Sequence, residues 1–146
     1  MSHKRILMVD DSARDTEMAM DALKQDPTIG DIVSMRDGVE ALDYLFCREQ
    51  FAGRSDGNPA VILLDLKMPK VDGLEALRQI RADPQLHTLP VVILTSSREE
   101  SDLVRGYQLG ANGYVVKPVD FEAFISAVSQ LGVFWALVNE PPPATS

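Results

Sequence analysis

The sequence predicts an α/β domain: a five-stranded parallel sheet, doubly wound with helices on both faces. Two observations lead there. Short apolar runs alternate with stretches of helical periodicity five times along the 146 residues. The strongest runs, Val61-Ile62-Leu63-Leu64 and Val91-Val92-Ile93-Leu94, are apolar throughout rather than at every second residue. That is the pattern of strands buried on both faces, as in a parallel sheet whose right-handed crossovers are helices.

Ile6-Leu7-Met8-Val9 is the first strand and ends on Asp10-Asp11-Ser12. Ser12 or Asp11 suits the cap of a helix whose stripe is Ala19, Ala22 and Leu23, stopped by Asp26-Pro27. Ile32-Val33-Ser34-Met35 is a weaker strand, suited to an edge, and Asp37-Gly38 opens a helix spaced by Val39, Leu42, Leu45 and Phe46. A long loop over 48–59 carries Gly53, Ser55, Asp56, Gly57 and Asn58. The central strand 60–65 follows and breaks on Asp65, with Lys67-Met68-Pro69 and Asp72-Gly73 behind it. Leu74, Leu77 and Ile80 space the third helix. After the fourth strand come Thr95-Ser96-Ser97, then a helix over about 99–109 that stops at Gly110. Gly113-Tyr114-Val115-Val116 is the fifth strand and ends on Lys117-Pro118. Phe121, Phe124, Ile125, Val128 and Leu131 give the last helix a strong apolar stripe; Gly132 suits its C-terminal cap, but Val133–Val138 could equally prolong the helix onto the sheet.

Composition bounds the function. The net charge of −8 disfavours nucleic acid and anionic membranes as partners and suits a cation or a basic protein face. The single cysteine, Cys47, excludes an internal disulfide and fits a reducing compartment, the cytoplasm. No secretory signal or membrane span is expected.

In a parallel sheet all carboxyl ends lie on one side. Asp10-Asp11, Asp65, Thr95 and Lys117 therefore converge at one edge, the edge where ligands bind in open α/β sheets. Carboxylates gathered in this way repel one another. A hard divalent cation with oxygen ligands relieves that repulsion, and an ammonium adds positive charge. The combination suits a phosphoryl group carried on one carboxylate. Taken alone, Lys117 is more often a solvated lysine, Thr95 a helix cap and Tyr114 an edge residue.

Asp10-Asp11, Asp65 with Met68-Pro69 and Asp72-Gly73, Thr95-Ser96 and Lys117-Pro118 together resemble the receiver domains of two-component response regulators, over roughly residues 5–131. The resemblance implies a flavodoxin-like fold with strand order 2-1-3-4-5. It implies that Asp65 accepts a phosphoryl group from a sensor histidine kinase. Mg²⁺ would be held by Asp11, Asp65 and the Lys67 backbone carbonyl, with Asp10 acting through water. Thr95 and Lys117 would bind the phosphoryl oxygens, across a cis Lys117–Pro118 peptide. Tyr114 takes the place of the aromatic switch, and Lys67 and Ser97 the places that tune hydrolysis.

The long loop and the tail Phe134-Trp135…Asn139-Glu140-Pro141-Pro142-Pro143 further resemble the single-domain regulators paired with bacterial and cyanobacterial phytochromes. That implies a receiver domain over 1–132 and an arm over 133–146, with Phe134, Trp135 and Leu137 joining a homodimer. Four alternatives remain at this point, one of them an interaction domain that keeps the fold without being phosphorylated, against which the complete acidic set argues. A shuttle would pass the phosphoryl group on. A phosphatase of the haloacid dehalogenase type also uses an aspartate after a strand, but needs Asp-x-Asp where this chain has Asp10-Asp11-Ser12. A nucleotide or flavin module would want a glycine-rich loop after the first strand, and none is present.

Overall fold

The computed structural model describes residues 4–27, 29–140 and 142; His3 and the tail's Pro141 and Pro143 lie outside them. Five strands form one sheet: β1 (Ile6–Val9), β2 (Ile32–Met35), β3 (Val61–Leu64), β4 (Val91–Thr95) and β5 (Gly113–Val116). Their order is β2-β1-β3-β4-β5, and every pairing is parallel. Five helices connect and cover them: α1 (Ala13–Lys24), α2 (Gly38–Leu45), α3 (Gly73–Ala82), α4 (Glu100–Gln108) and α5 (Phe121–Gly132).

Strand residues alternate between two cores. Leu7, Val9, Ile62, Leu64, Val91 and Ile93 face one side, with α2 and α3. Ile6, Met8, Val61, Leu63, Val92 and Leu94 face the other, with α1 and α5. Both sides are apolar because both are covered, so β1, β3 and β4 are buried along their whole length. The outer strands β2 and β5 are mostly half-buried, as edges are.

Helix starts are set by side chains at the loops. Ser12, Asp37, Asp72 and Asp120 each accept a hydrogen bond from the backbone N–H three residues on, capping α1, α2, α3 and α5. Each such cap contributes roughly 1 kcal/mol. Gly73, the first residue of α3, lies so close to the central strand that a Cβ there would stand 2.2 Å from the Asp65 carbonyl oxygen. A glycine here lets the helix begin directly against the strand end.

The chain departs from its sequence reading in two places. Gly132 does not end the last helix. It is right-handed helical (φ −60°, ψ −47°), and α5 runs without a break into a wider, π-helical segment, Val133–Val138. A Cβ at 132 would meet Leu23 Cδ2 at 2.4 Å, so the glycine serves close packing on α1 rather than capping. Secondly, no cis peptide occurs among the described residues, so Lys117–Pro118 is trans. Proline leaves the two isomers within about 1 kcal/mol, and neighbouring packing selects between them.

The loop over 48–59 also has more order than its composition suggests. A short 3₁₀ turn covers Glu49–Phe51. The Arg54 guanidinium stacks 4.0 Å from the centre of the Tyr44 ring, donates to the Tyr44 carbonyl at 2.8 and 3.0 Å and pairs with Asp56 at 2.6 Å.

Candidate functional site

The carboxyl edge is built by carrying the sheet ladder past the strand ends. Asp10 N–H donates to the Met35 carbonyl, Asp65 N–H to the Val9 carbonyl and Lys117 N–H to the Thr95 carbonyl, at 3.0, 2.9 and 2.7 Å. These bonds fix the backbones of the site residues before any side chain interacts. Asp10, Asp65 and Thr95 are buried, and Asp11 is exposed.

Asp10, Asp11 and Asp65 each offer a carboxylate oxygen, and the three oxygens lie within 4.8 Å of one another. All-oxygen ligands at that spacing suit a hard divalent cation. Burial pushes the Asp10 carboxyl up to about 6, against hydrogen bonds from Lys117 and the Ser12 N–H that pull it down. A buried carboxylate in that state is short of positive charge, which a bound cation would supply.

Lys117 supplies part of it. Its Nζ lies 2.6 Å from Asp10, 2.9 Å from Asp15 and 3.4 Å from Asp65. Burial alone would favour the neutral amine, but the hydrogen bonds to Asp10 and Asp15 outweigh it and hold Lys117 above its ordinary range. The ammonium is therefore a permanent charge in the site.

A second group of contacts lies on the α4 side. Tyr114 Oη donates to the Ser97 carbonyl at 3.1 Å. Ser97 Oγ donates to Asp102 at 2.6 Å, and Lys67 Nζ pairs with the same carboxylate at 3.4 Å. The Ser97 hydrogen bond holds the Asp102 carboxyl below its usual range. The loops after β3 and β4 are thus both tied to α4 through one side chain. Ser97 N–H also faces Thr95 Oγ1 at 3.4 Å.

The structure brings together Asp10, Asp11, Asp65 and Lys117, with Thr95 at the same edge. Lys67, Ser97 and Tyr114 gather beside them. Phe134, Trp135 and Leu137 lie on the extension of α5, where Trp135 packs against the core shared by α1 and α5, while Phe134 and Leu137 are exposed. Two residues were not legible as site residues: Asp15, which lies in the first turn of α1 where an acidic residue is favourable in any helix, and Asp102, which carries no motif.

The fold and this edge define a signalling domain that handles a phosphoryl group. Residues 6–129 match the family model for the response regulator receiver domain, and the chain belongs to that family. It is a response regulator of the two-component phosphorelay class. Response regulator Rcp1 of Synechocystis is 35% identical over 132 residues, spanning 90% of this chain and 88% of Rcp1. The Mn²⁺-bound form of Rcp1 superposes with a TM-score of 0.89 at 34% identity, over 96% of this chain and 99% of that one. The phosphorylated cyanobacterial phytochrome response regulator RcpA gives 0.92 at 35% identity, over 97% and 100%. The bacteriophytochrome response regulator RtBRR is 54% identical with a TM-score of 0.76, over 97% and 86%.

Proposed function

We propose that Asp65 is the phosphoacceptor of a response regulator served by a sensor histidine kinase. The observation that carries this reading is the meeting of three carboxylates, Asp10, Asp11 and Asp65, with one ammonium, Lys117, at a single sheet edge. One Asp65 oxygen attacks phosphorus in line with the leaving imidazole of a phosphohistidine, and the P–N bond breaks as the O–P bond forms. Lys117 stabilises the charge that collects on the phosphoryl oxygens, and the Thr95 hydroxyl donates to one of them. Asp11, Asp65 and the Lys67 carbonyl would hold Mg²⁺, with Asp10 acting through water, and the cation would supply further charge neutralisation there. Water later hydrolyses the acyl phosphate, at a rate tuned by Lys67 and Ser97. The protein modifies its own side chain and acts as a regulator, not as a turnover enzyme.

The output runs through Thr95 and Tyr114. Movement of Thr95 toward the phosphoryl group shifts the loop that carries Ser97, whose carbonyl accepts the Tyr114 hydroxyl. The kinase is a phytochrome, a reading supported by the likeness to RcpA and RtBRR. The protein forms a homodimer through the extension of α5. Support comes from Phe121–Val138, 18 residues of mean hydropathy 1.6, of which only 22% are buried. Length and hydropathy would also suit a membrane span, but Phe124, Val128 and Ala136 seat the helix in the core beside α1. Phe134 and Leu137 are the apolar groups left for a second chain. Cys47 without a disulfide partner agrees with a cytoplasmic site of action.

Incubation with Mg²⁺ and acetyl phosphate, followed by intact mass measurement, tests the assignment. One phosphoryl adduct is expected on the parent protein and none on Asp65→Asn. An adduct on Asp65→Asn would overturn it.

A further inference from the structure

Lys117 has three N–H donors and faces three carboxylates. The two short contacts go to Asp10 and Asp15. The contact to Asp65, at 3.4 Å, is beyond the usual N–H···O range. In the unphosphorylated protein the ammonium therefore rests toward β1 and α1, not on the residue that reacts.

A phosphoryl group on Asp65 brings new anionic oxygens within reach of Lys117. The Asp65 carboxylate is itself consumed in the acyl phosphate, so the donor that faces it passes to the phosphoryl oxygens; to draw close to them the ammonium must move off one of its two short contacts. Those two partners differ in what release costs. The Asp10 side chain is 1% exposed, and a carboxylate left unpaired at such a site is strongly disfavoured. The Asp15 side chain is 27% exposed and can turn to water. Asp15 is the partner most easily exchanged.

We propose that Asp15 is a positioning residue for phosphoryl transfer: it holds the Lys117 ammonium off Asp65 in the resting protein and releases it to the phosphoryl group. The proposal rests on the reading of Asp65 as the phosphoacceptor. With acetyl phosphate as donor the step balances simply. The Asp65 Oδ–P bond forms, the P–O bond to the acetyl group breaks, and acetate leaves with the electron pair. Asp15 gains and loses no atom. Its effect is on how soon Lys117 is free to meet the developing charge.

Removing the Asp15 charge should thus speed transfer. The backbone is not at risk, because the α1 cap uses the Asp15 N–H, which donates to Ser12 Oγ at 3.1 Å, and not its carboxylate. The full-length chain with saturating Mg²⁺ is mixed with acetyl phosphate, and adduct formation is followed by intact mass. Asp15→Asn and Asp15→Ser are expected to form the adduct about three- to fivefold faster than the parent, the scale of one partly exposed ion pair. Asp15→Glu keeps a carboxylate within reach of Lys117 and should restore the parent rate. Glu17→Gln removes an exposed charge from the same helix and should leave the rate unchanged, which separates a contact with Lys117 from a general lowering of negative charge. Equal or slower transfer in Asp15→Asn and Asp15→Ser would overturn the proposal, as would the same acceleration in Glu17→Gln or Asp15→Glu. Asp65→Asn runs alongside: an adduct there would overturn the phosphoacceptor reading itself, whereas a silent Asp65→Asn with an unaffected Asp15→Asn would overturn only the role of Asp15.

Discussion

The Lys117 ammonium lies 2.6 Å from the Asp10 carboxylate, joining two nearly buried side chains from strands at different positions in the sheet. Breaking such a pair from one side leaves a buried charge without compensation and costs about 3 kcal/mol or more. Lys117→Met is therefore expected to lower the melting temperature clearly in chelator. Mg²⁺ should recover much of the loss, because the cation then meets carboxylates that no ammonium already neutralises. Thermal unfolding with and without Mg²⁺ checks both statements. An equal loss in the two conditions would show that Lys117 and the cation do not share these carboxylates.

Metal binding should itself stabilise the fold. A ligand that binds only the native state at about 100 times its dissociation constant contributes roughly 2.7 kcal/mol. Mg²⁺ is expected to raise the melting temperature of the parent and EDTA to reverse the rise. Asp11 is exposed, so Asp11→Asn should unfold near the parent temperature in EDTA yet lose most of the Mg²⁺-dependent rise. Calorimetry over a Mg²⁺ series measures the difference.

Gly132 packs where a side chain has no room. Leu23, Ile29 and Ile6 surround the position, and a Cβ would stand 2.4 Å from Leu23 Cδ2. Gly132→Val is expected to destabilise by about 1–3 kcal/mol through overpacking, despite the better helix propensity of valine. Urea unfolding gives the value. A stabilised variant would mean that α1 and α5 can separate at no cost.

Phe134 and Leu137 are about half and more than a third exposed, at 48% and 37%. If the proposed dimer forms through these groups, the parent should size as a dimer with light scattering and Phe134→Glu combined with Leu137→Glu as a monomer, with the melting temperature of the monomer little changed. Cutting the chain at 132 would be a poorer test, because it removes Ala136, which is fully buried in the monomer core.

Much of this molecule was legible in the sequence because its strands are apolar on both faces and its helices carry their caps. Val61–Leu64 and Val91–Leu94 could not be amphipathic strands, and the aspartate, threonine and lysine at the strand ends fall at one edge in any parallel arrangement. The extension past Gly132 stayed open in the sequence because glycine has two uses at a helix end. It tolerates left-handed backbone, and it permits close packing; composition does not say which. Asp15 and Asp102 were hidden for a different reason. Their contacts to Lys117 and Ser97 span 102 and 5 residues, and each depends on a rotamer choice rather than on a periodicity.

Phosphoryl transfer to Asp65 would leave an acyl phosphate at that one position. Borohydride reduces an aspartyl phosphate to homoserine, so reduction of the phosphorylated chain, followed by digestion and fragment mass measurement, reads the modified position directly. Homoserine is expected at position 65, and unmodified aspartate at 10, 11 and 15. Homoserine at any of those three positions, with Asp65 intact, would contradict it.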